Sequence, residues 1–231
     1  MTFTRYAIYF APPADAEWSQ FATQWLGWDM ERGRPVTQPE MPDLDMAAIT
    51  QVPRKYGLHA TIKPPMRLAP GTDLDALQEA CAALARRQAP VSLEGLHLAR
   101  LGRFLALRVT GDESALNALA STCVRDLDPF RAPASQAELE RRRAARLTEG
   151  QEANLTLWGY PYVMADFRFH ITLSGKLPKQ DLPAVEAALE THLVPRLPHP
   201  FEIRDLALVG EDSDGRFHMI HRYALTGSAS A

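Results

Sequence analysis

His59, Thr61 and Lys63 occupy alternate positions of the run HATIKPP, and His170, Thr172 and Ser174 do the same in HITLSG. On a strand, successive side chains point to opposite faces, so each run gathers its polar residues on one face. Leu58, Ala60 and Ile62 take the other face of the first run, and Phe169, Ile171 and Leu173 that of the second, where Arg168 extends the polar set. Such a strand packs its apolar face on helices and lines a wet groove with the polar one. If the two polar faces meet, the groove holds paired imidazoles suited to phosphodiester chemistry. A neutral imidazole takes the proton of an attacking water while an imidazolium protonates the leaving oxygen, because histidine titrates near neutral pH. Hydroxyls and cations hold the non-bridging oxygens as charge develops. His59 and His170 are thus the candidate acid and base, and Thr61, Thr172 and Lys63 the candidate phosphate ligands. Arg168 and Ser174 are further candidates for substrate contact. Tyr6 and Tyr56 are candidates for the groove wall or, equally, for packing. One His-x-Thr alone is a weak signal; two at matching places in a repeat are a strong one.

The elements that must carry these residues recur. Residues 5–10, RYAIYF, read as a strand, and a helix over 15–26 carries Trp18, Phe21, Ala22 and Trp25 at helical spacing. A proline-rich loop spans about 33–53. The first His-x-Thr strand follows, then a helix from Asp73 with Leu74, Leu77, Cys81 and Leu84 on one face, then two strands beyond Pro90. A helix from Asp112 carries Leu116, Leu119, Cys123 and Leu127, and a helical insert covers about 135–158. Ser135 with Glu138 three residues on is a capping box, and the run ERRRAAR after it is expected on a solvated helix face rather than as a dedicated phosphate or RNA patch. The second His-x-Thr strand, a helix with Val185, Leu189 and Leu193, and two strands joined through EDSDG complete the chain. Pro90 and Pro200 each fall some thirty residues after their histidines, and Arg103-Phe104 corresponds to Arg216-Phe217. The first repeat covers about 54–110 and the second about 163–227. The expected architecture is a single bilobal α+β domain: two duplicated lobes with antiparallel sheets facing a central cleft and helices outside.

Composition narrows the chemistry. With 231 residues, 46% of them hydrophobic, the chain can bury one sizeable core. Its net charge of -3, with both signs interspersed, argues against a nucleic acid partner and leaves a small phosphorylated substrate. No run approaches the apolar length of a membrane span and the start lacks a secretory signal, so a cytoplasmic protein is expected. Cys81 and Cys123 read as reduced core thiols. His97, His192, His199, His218 and His221 have no threonine partner at the matching place and are assigned to structure or surface. Neither His-x-Thr face supplies a carboxylate, and no glycine-rich phosphate loop or dinucleotide fingerprint occurs, so no metal and no cofactor are expected.

Two His-x-Thr-x motifs, His59-Ala60-Thr61-Ile62 and His170-Ile171-Thr172-Leu173, on duplicated lobes resemble the 2H phosphoesterase superfamily over essentially the whole chain. The segments RYAIYFAPP, YGLHATIKPP, LERRRAARL and WGYPYVMADFRFHITLSG resemble, more narrowly, a branch named for phosphonate metabolism and found in bacterial operons for phosphonate use. The resemblance implies metal-independent opening of a cyclic phosphate or hydrolysis of a related phosphodiester. Both histidines would serve as acid and base, and both threonines would bind phosphate. The operon setting suggests a ribose cyclic phosphate such as 5-phosphoribosyl 1,2-cyclic phosphate. Two other readings compete: RNA end processing or 2',5'-linkage chemistry, and a non-catalytic sensor that binds a nucleotide or phosphate in the same groove.

Overall fold

A computed structural model describes residues 2–228. The chain begins with β1 (Arg5–Phe10), α1 (Glu17–Leu26) and a small ribbon of β2 (Trp28–Asp29) and β3 (Arg34–Pro35). Then come α2 (Met46–Thr50), β4 (Ala60–Met66), α3 (Leu74–Arg87), β5 (Val91–Leu93), β6 (Gly95–Leu101) and β7 (Phe104–Thr110). After α4 (Ser114–Asp126) the insert forms α5 (Gln136–Arg143) and α6 (Glu149–Trp158). The remainder is β8 (Ile171–Thr172), α7 (Leu182–His192), β9 (Phe201–Ile203), β10 (Asp205–Glu211) and β11 (Phe217–Ala224). The order strand, helix, short strand, hairpin therefore occurs twice, from β4 to β7 and from β8 to β11.

The sheets do not follow the halves of the sequence. One sheet has the order β11-β10-β1-β4 and the other β6-β7-β8. Each His-x-Thr strand thus lies in the sheet that holds the other repeat's hairpin, and the antiparallel pair β5·β9 ties the two copies together. The lobes are built by exchange, which keeps either half from burying its core alone. The fold is α+β and bilobal, with helices on the outer faces and the His-x-Thr strands meeting at the centre, as expected.

Helix faces follow the apolar spacing. Asp73 caps α3 by accepting from the Ala76 N–H at 2.9 Å, and Leu77, Cys81 and Leu84 of that helix are buried. Leu116, Leu119, Ala120 and Cys123 do the same for α4. Each leucine so buried contributes roughly 1.5–3 kcal/mol. Both cysteines are free and buried. The insert forms two helices: Ser135 and Glu138 form the expected capping box on α5, the chain turns with Arg146 at φ 54°, and Thr148 starts a second capping box on α6. The segment expected to be an open loop over 33–53 contains β3 and α2.

Candidate active site

His59 stands just before β4, where Leu58, Ala60 and Ile62 are buried in the main core. The preceding Gly57 has φ 68°, a conformation strained for any side chain, and an added Cβ would meet the Met30 Cβ at 3.0 Å. This turn aims the Gly57 carbonyl at His59 Nδ1, 3.1 Å away. A carbonyl only accepts, so Nδ1 carries the proton and Nε2 is left with its lone pair. Thr61 Oγ1 lies 3.2 Å from that Nε2 and donates to it.

The second strand repeats the arrangement. Phe169, Ile171 and Leu173 are fully buried, which sends His170 and Thr172 to the opposite face. His170 Nδ1 donates to the Arg168 carbonyl at 2.8 Å, again leaving Nε2 available. β8 pairs with β7 through Ala106↔Thr172 and Leu107↔Ile171, and the Trp25 indole N–H of α1 donates to the Leu173 carbonyl at 2.9 Å. Thus a helix near the start of the chain helps to set the second motif.

His59, Thr61, His170 and Thr172 line one cleft, together with Tyr56, Tyr9, Arg5 and Lys55. Tyr9 stacks on the His59 ring at 3.8 Å between centroids, and Tyr56 meets it edge-on at 5.1 Å. Burial is the main cause that holds the His59 imidazole down to about 4, partly offset by the Gly57 hydrogen bond, and a proton on His170 opposes one on His59. At neutral pH the His59 imidazole is therefore uncharged. Arg5 is fixed by a two-point ion pair with Glu211, one arm of which measures 2.7 Å.

Four candidate residues stand elsewhere. Lys63 is 2% exposed and points away from the histidines: its Nζ donates to the Val124 carbonyl at 3.1 Å and lies 3.7 Å from Asp128. The reason is a bulge, since Tyr9 pairs with Thr61 but Ile8 pairs with Lys63, so one extra residue, Ile62, breaks the alternation between them. Arg168 folds back onto the Ala165 and Phe167 carbonyls at 2.8 and 2.6 Å. Ser174 is 1% exposed, and its hydroxyl accepts from the Leu105 N–H at 2.9 Å and donates to the Gly175 carbonyl at 3.0 Å, closing the end of β8. Tyr6 packs in the main core. Sequence reasoning missed Arg5 and Tyr9, which share the other face of β1. The signal was present: Arg5, Ala7 and Tyr9 alternate with Tyr6, Ile8 and Phe10, but aromatic residues on both faces concealed which one looks into the cleft.

The family described as "Protein of unknown function (DUF1045)" matches residues 61–218, which takes in most of both repeats and the insert. The chain belongs to the DUF1045 family. This DUF1045 chain is 36% identical over 219 residues to a protein named ribose 1,5-bisphosphate phosphokinase PhnN from Janthinobacterium sp. (strain Marseille), covering 92% of the chain and 48% of that protein. A protein of the same name from Laribacter hongkongensis (strain HLHK9) is 36% identical over 214 residues, covering 91% of the chain and 49% of that protein. The chain spans about half the length of these curated relatives. Among solved structures, TT0787 of Thermus thermophilus superposes with a TM-score of 0.45 at 20% identity, covering 97% of this chain and 100% of that one. The E. coli LigT complex with 3'-AMP gives a TM-score of 0.45 at 16% identity, covering 97% and 99%. No helix among the described residues is long and apolar enough to cross a membrane, and no three His, Cys, Asp or Glu side chains among them stand together as a metal site.

Proposed function

We propose that this chain is a phosphoesterase of the 2H type that opens a small cyclic phosphate by paired-histidine acid–base catalysis without a metal. The observation that carries the reading is the symmetry of the two imidazoles: each Nδ1 is tied to a backbone carbonyl two residues back, and each ring lines the same cleft. Tying Nδ1 selects the tautomer that leaves Nε2 for chemistry. Uncharged His59 takes the proton of a water as its oxygen attacks phosphorus. The bond from phosphorus to one ring oxygen breaks, and protonated His170 delivers its proton to that oxygen. In this reading Thr61, Thr172 and Arg5, which line the same cleft, supply the hydroxyls and the cation that stabilise the charge gathering on the phosphoryl oxygens. His59 is assigned as base because burial disfavours its charged form.

The substrate we favour is 5-phosphoribosyl 1,2-cyclic phosphate. Breaking its phosphorus–O2 bond leaves one phosphate on C1 and one on C5, which is ribose 1,5-bisphosphate, the compound that both relatives are named for. The product of such a reaction is what a kinase of that name consumes. The test is turnover of a panel of cyclic phosphates, including this compound and 2',3'-cyclic nucleotides, with chelator present, for wild type, His59→Ala and His170→Ala. Chelator-resistant turnover that collapses in both variants supports the mechanism. Binding of a panel member without turnover would replace it with the sensor reading.

A further inference from the structure

Next to the histidine cleft lies a second pocket that the acid–base chemistry leaves unused. Its walls carry six cations, Arg5, Lys63, Arg67, Arg131, Arg141 and Arg142, and Trp158 of the insert and Tyr160 just beyond it close the pocket. Three carboxylates answer these cations: Glu211 holds Arg5, Glu138 holds Arg67 at 2.8 Å, and Asp128 holds Arg131 at 2.7 Å with Lys63 behind it at 3.7 Å. Among the described residues Arg141 and Arg142 form no ion pair. The Arg142 guanidinium instead lies over the Tyr160 ring, 4.3 Å from its centroid, which orients it while leaving its donors open. An excess of positive charge gathered in one concave site is unusual in a chain of net charge -3. Arg5 and Pro65 line both this pocket and the histidine cleft, so the two sites adjoin.

We propose that this pocket is a second anion subsite, built by the insert, which holds a phosphate that the substrate carries apart from its cyclic one. The inference rests on the cyclic phosphate reading for the identity of the substrate, and it turns the run ERRRAAR from a solvated face into a recognition element. Arg67–Glu138 and the pairing of the Ala132 N–H with the Arg67 carbonyl at 2.8 Å anchor the insert to the end of β4, next to the histidine strand. The insert therefore has a fixed position relative to the reacting phosphorus. Arginine suits the task, since its planar fork binds phosphate oxygens two at a time.

The variant Arg141→Ala/Arg142→Ala removes the cations that no carboxylate holds, at positions outside the core. For a cyclic phosphate bearing a second phosphate, KM should rise about tenfold or more with kcat little changed, as for lost ground-state binding. KM for 2',3'-cyclic AMP, which has no second phosphate, should not move. An equal effect on both substrates, or on neither, overturns the subsite. A binding measurement separates this from failure of the catalytic reading: ribose 5-phosphate is titrated into His59→Ala/His170→Ala protein with and without the two arginine changes. Binding that disappears with the arginines sustains the subsite even if no cyclic phosphate turns over. No binding to the His59→Ala/His170→Ala protein, or binding indifferent to the arginines, overturns it.

Discussion

The Tyr9 ring lies on the His59 imidazole, 3.8 Å between centroids and 23° between planes. The two residues come from neighbouring strands, β1 and the start of β4, and Tyr9 is itself 2% exposed. The tyrosine is one of the groups that bury the imidazole, and burial is the main reason why its charged form is disfavoured. Replacing Tyr9 with leucine should let water in and raise the His59 titration from about 4 toward its ordinary 6.5, whereas Tyr9→Phe keeps the ring and should leave it low. An NMR titration of the His59 ring protons reads this directly, and equal midpoints in all three proteins would rule the ring out as the cause.

The same shift gives the pH dependence of activity a sign. A base must be neutral to accept a proton, so kcat/KM should stay level as pH falls through 6.5 and drop only near about 4 on the limb set by His59. A drop centred near 6.5 would mean that His59 is not the base.

Stability should follow the same group. Between about 4 and 6.5 the unfolded chain protonates this histidine while the folded one does not, so stability is complete above 6.5 and is lost as pH falls toward 4. The loss amounts to at most about 3 kcal/mol. Urea unfolding of wild type and His59→Gln at several pH values should show this slope in the first and not in the second.

Loss of either histidine should lower kcat by about 100-fold to 10,000-fold. The double variant His59→Ala/His170→Ala should be little worse than the poorer single one, because the two act as a unit. Strictly multiplicative losses, measured by single-turnover kinetics, would separate the two histidines into independent roles.

Ser174 should behave as a structural residue. Its hydroxyl satisfies the buried Leu105 N–H and Gly175 carbonyl, so Ser174→Ala should cost about 1–3 kcal/mol of stability. Turnover per folded molecule should be retained; a selective fall in kcat would return Ser174 to the site.

Much of this architecture was legible in local pattern. Leu77, Cys81 and Leu84 on α3, and the Ser135–Glu138 capping box on α5, depend only on residues within a few turns of one another. The two His-x-Thr motifs were legible for the same reason, since alternation along a strand is a local property, and it correctly set Phe169, Ile171 and Leu173 against His170 and Thr172. Alternation failed at Lys63. The bulge after Thr61 arises from how β4 pairs with β1, more than fifty residues away in sequence. The exchange of hairpins between the sheets, the entry of Arg5 and Tyr9 into the cleft, and the turn of Arg141 and Arg142 toward a common pocket were likewise decided by tertiary packing. Residue type and spacing thus determined which groups could do chemistry. Which of them meet was decided by strand pairing and register, because contacts between distant segments are set by the burial of the whole core rather than by the preferences of any one stretch.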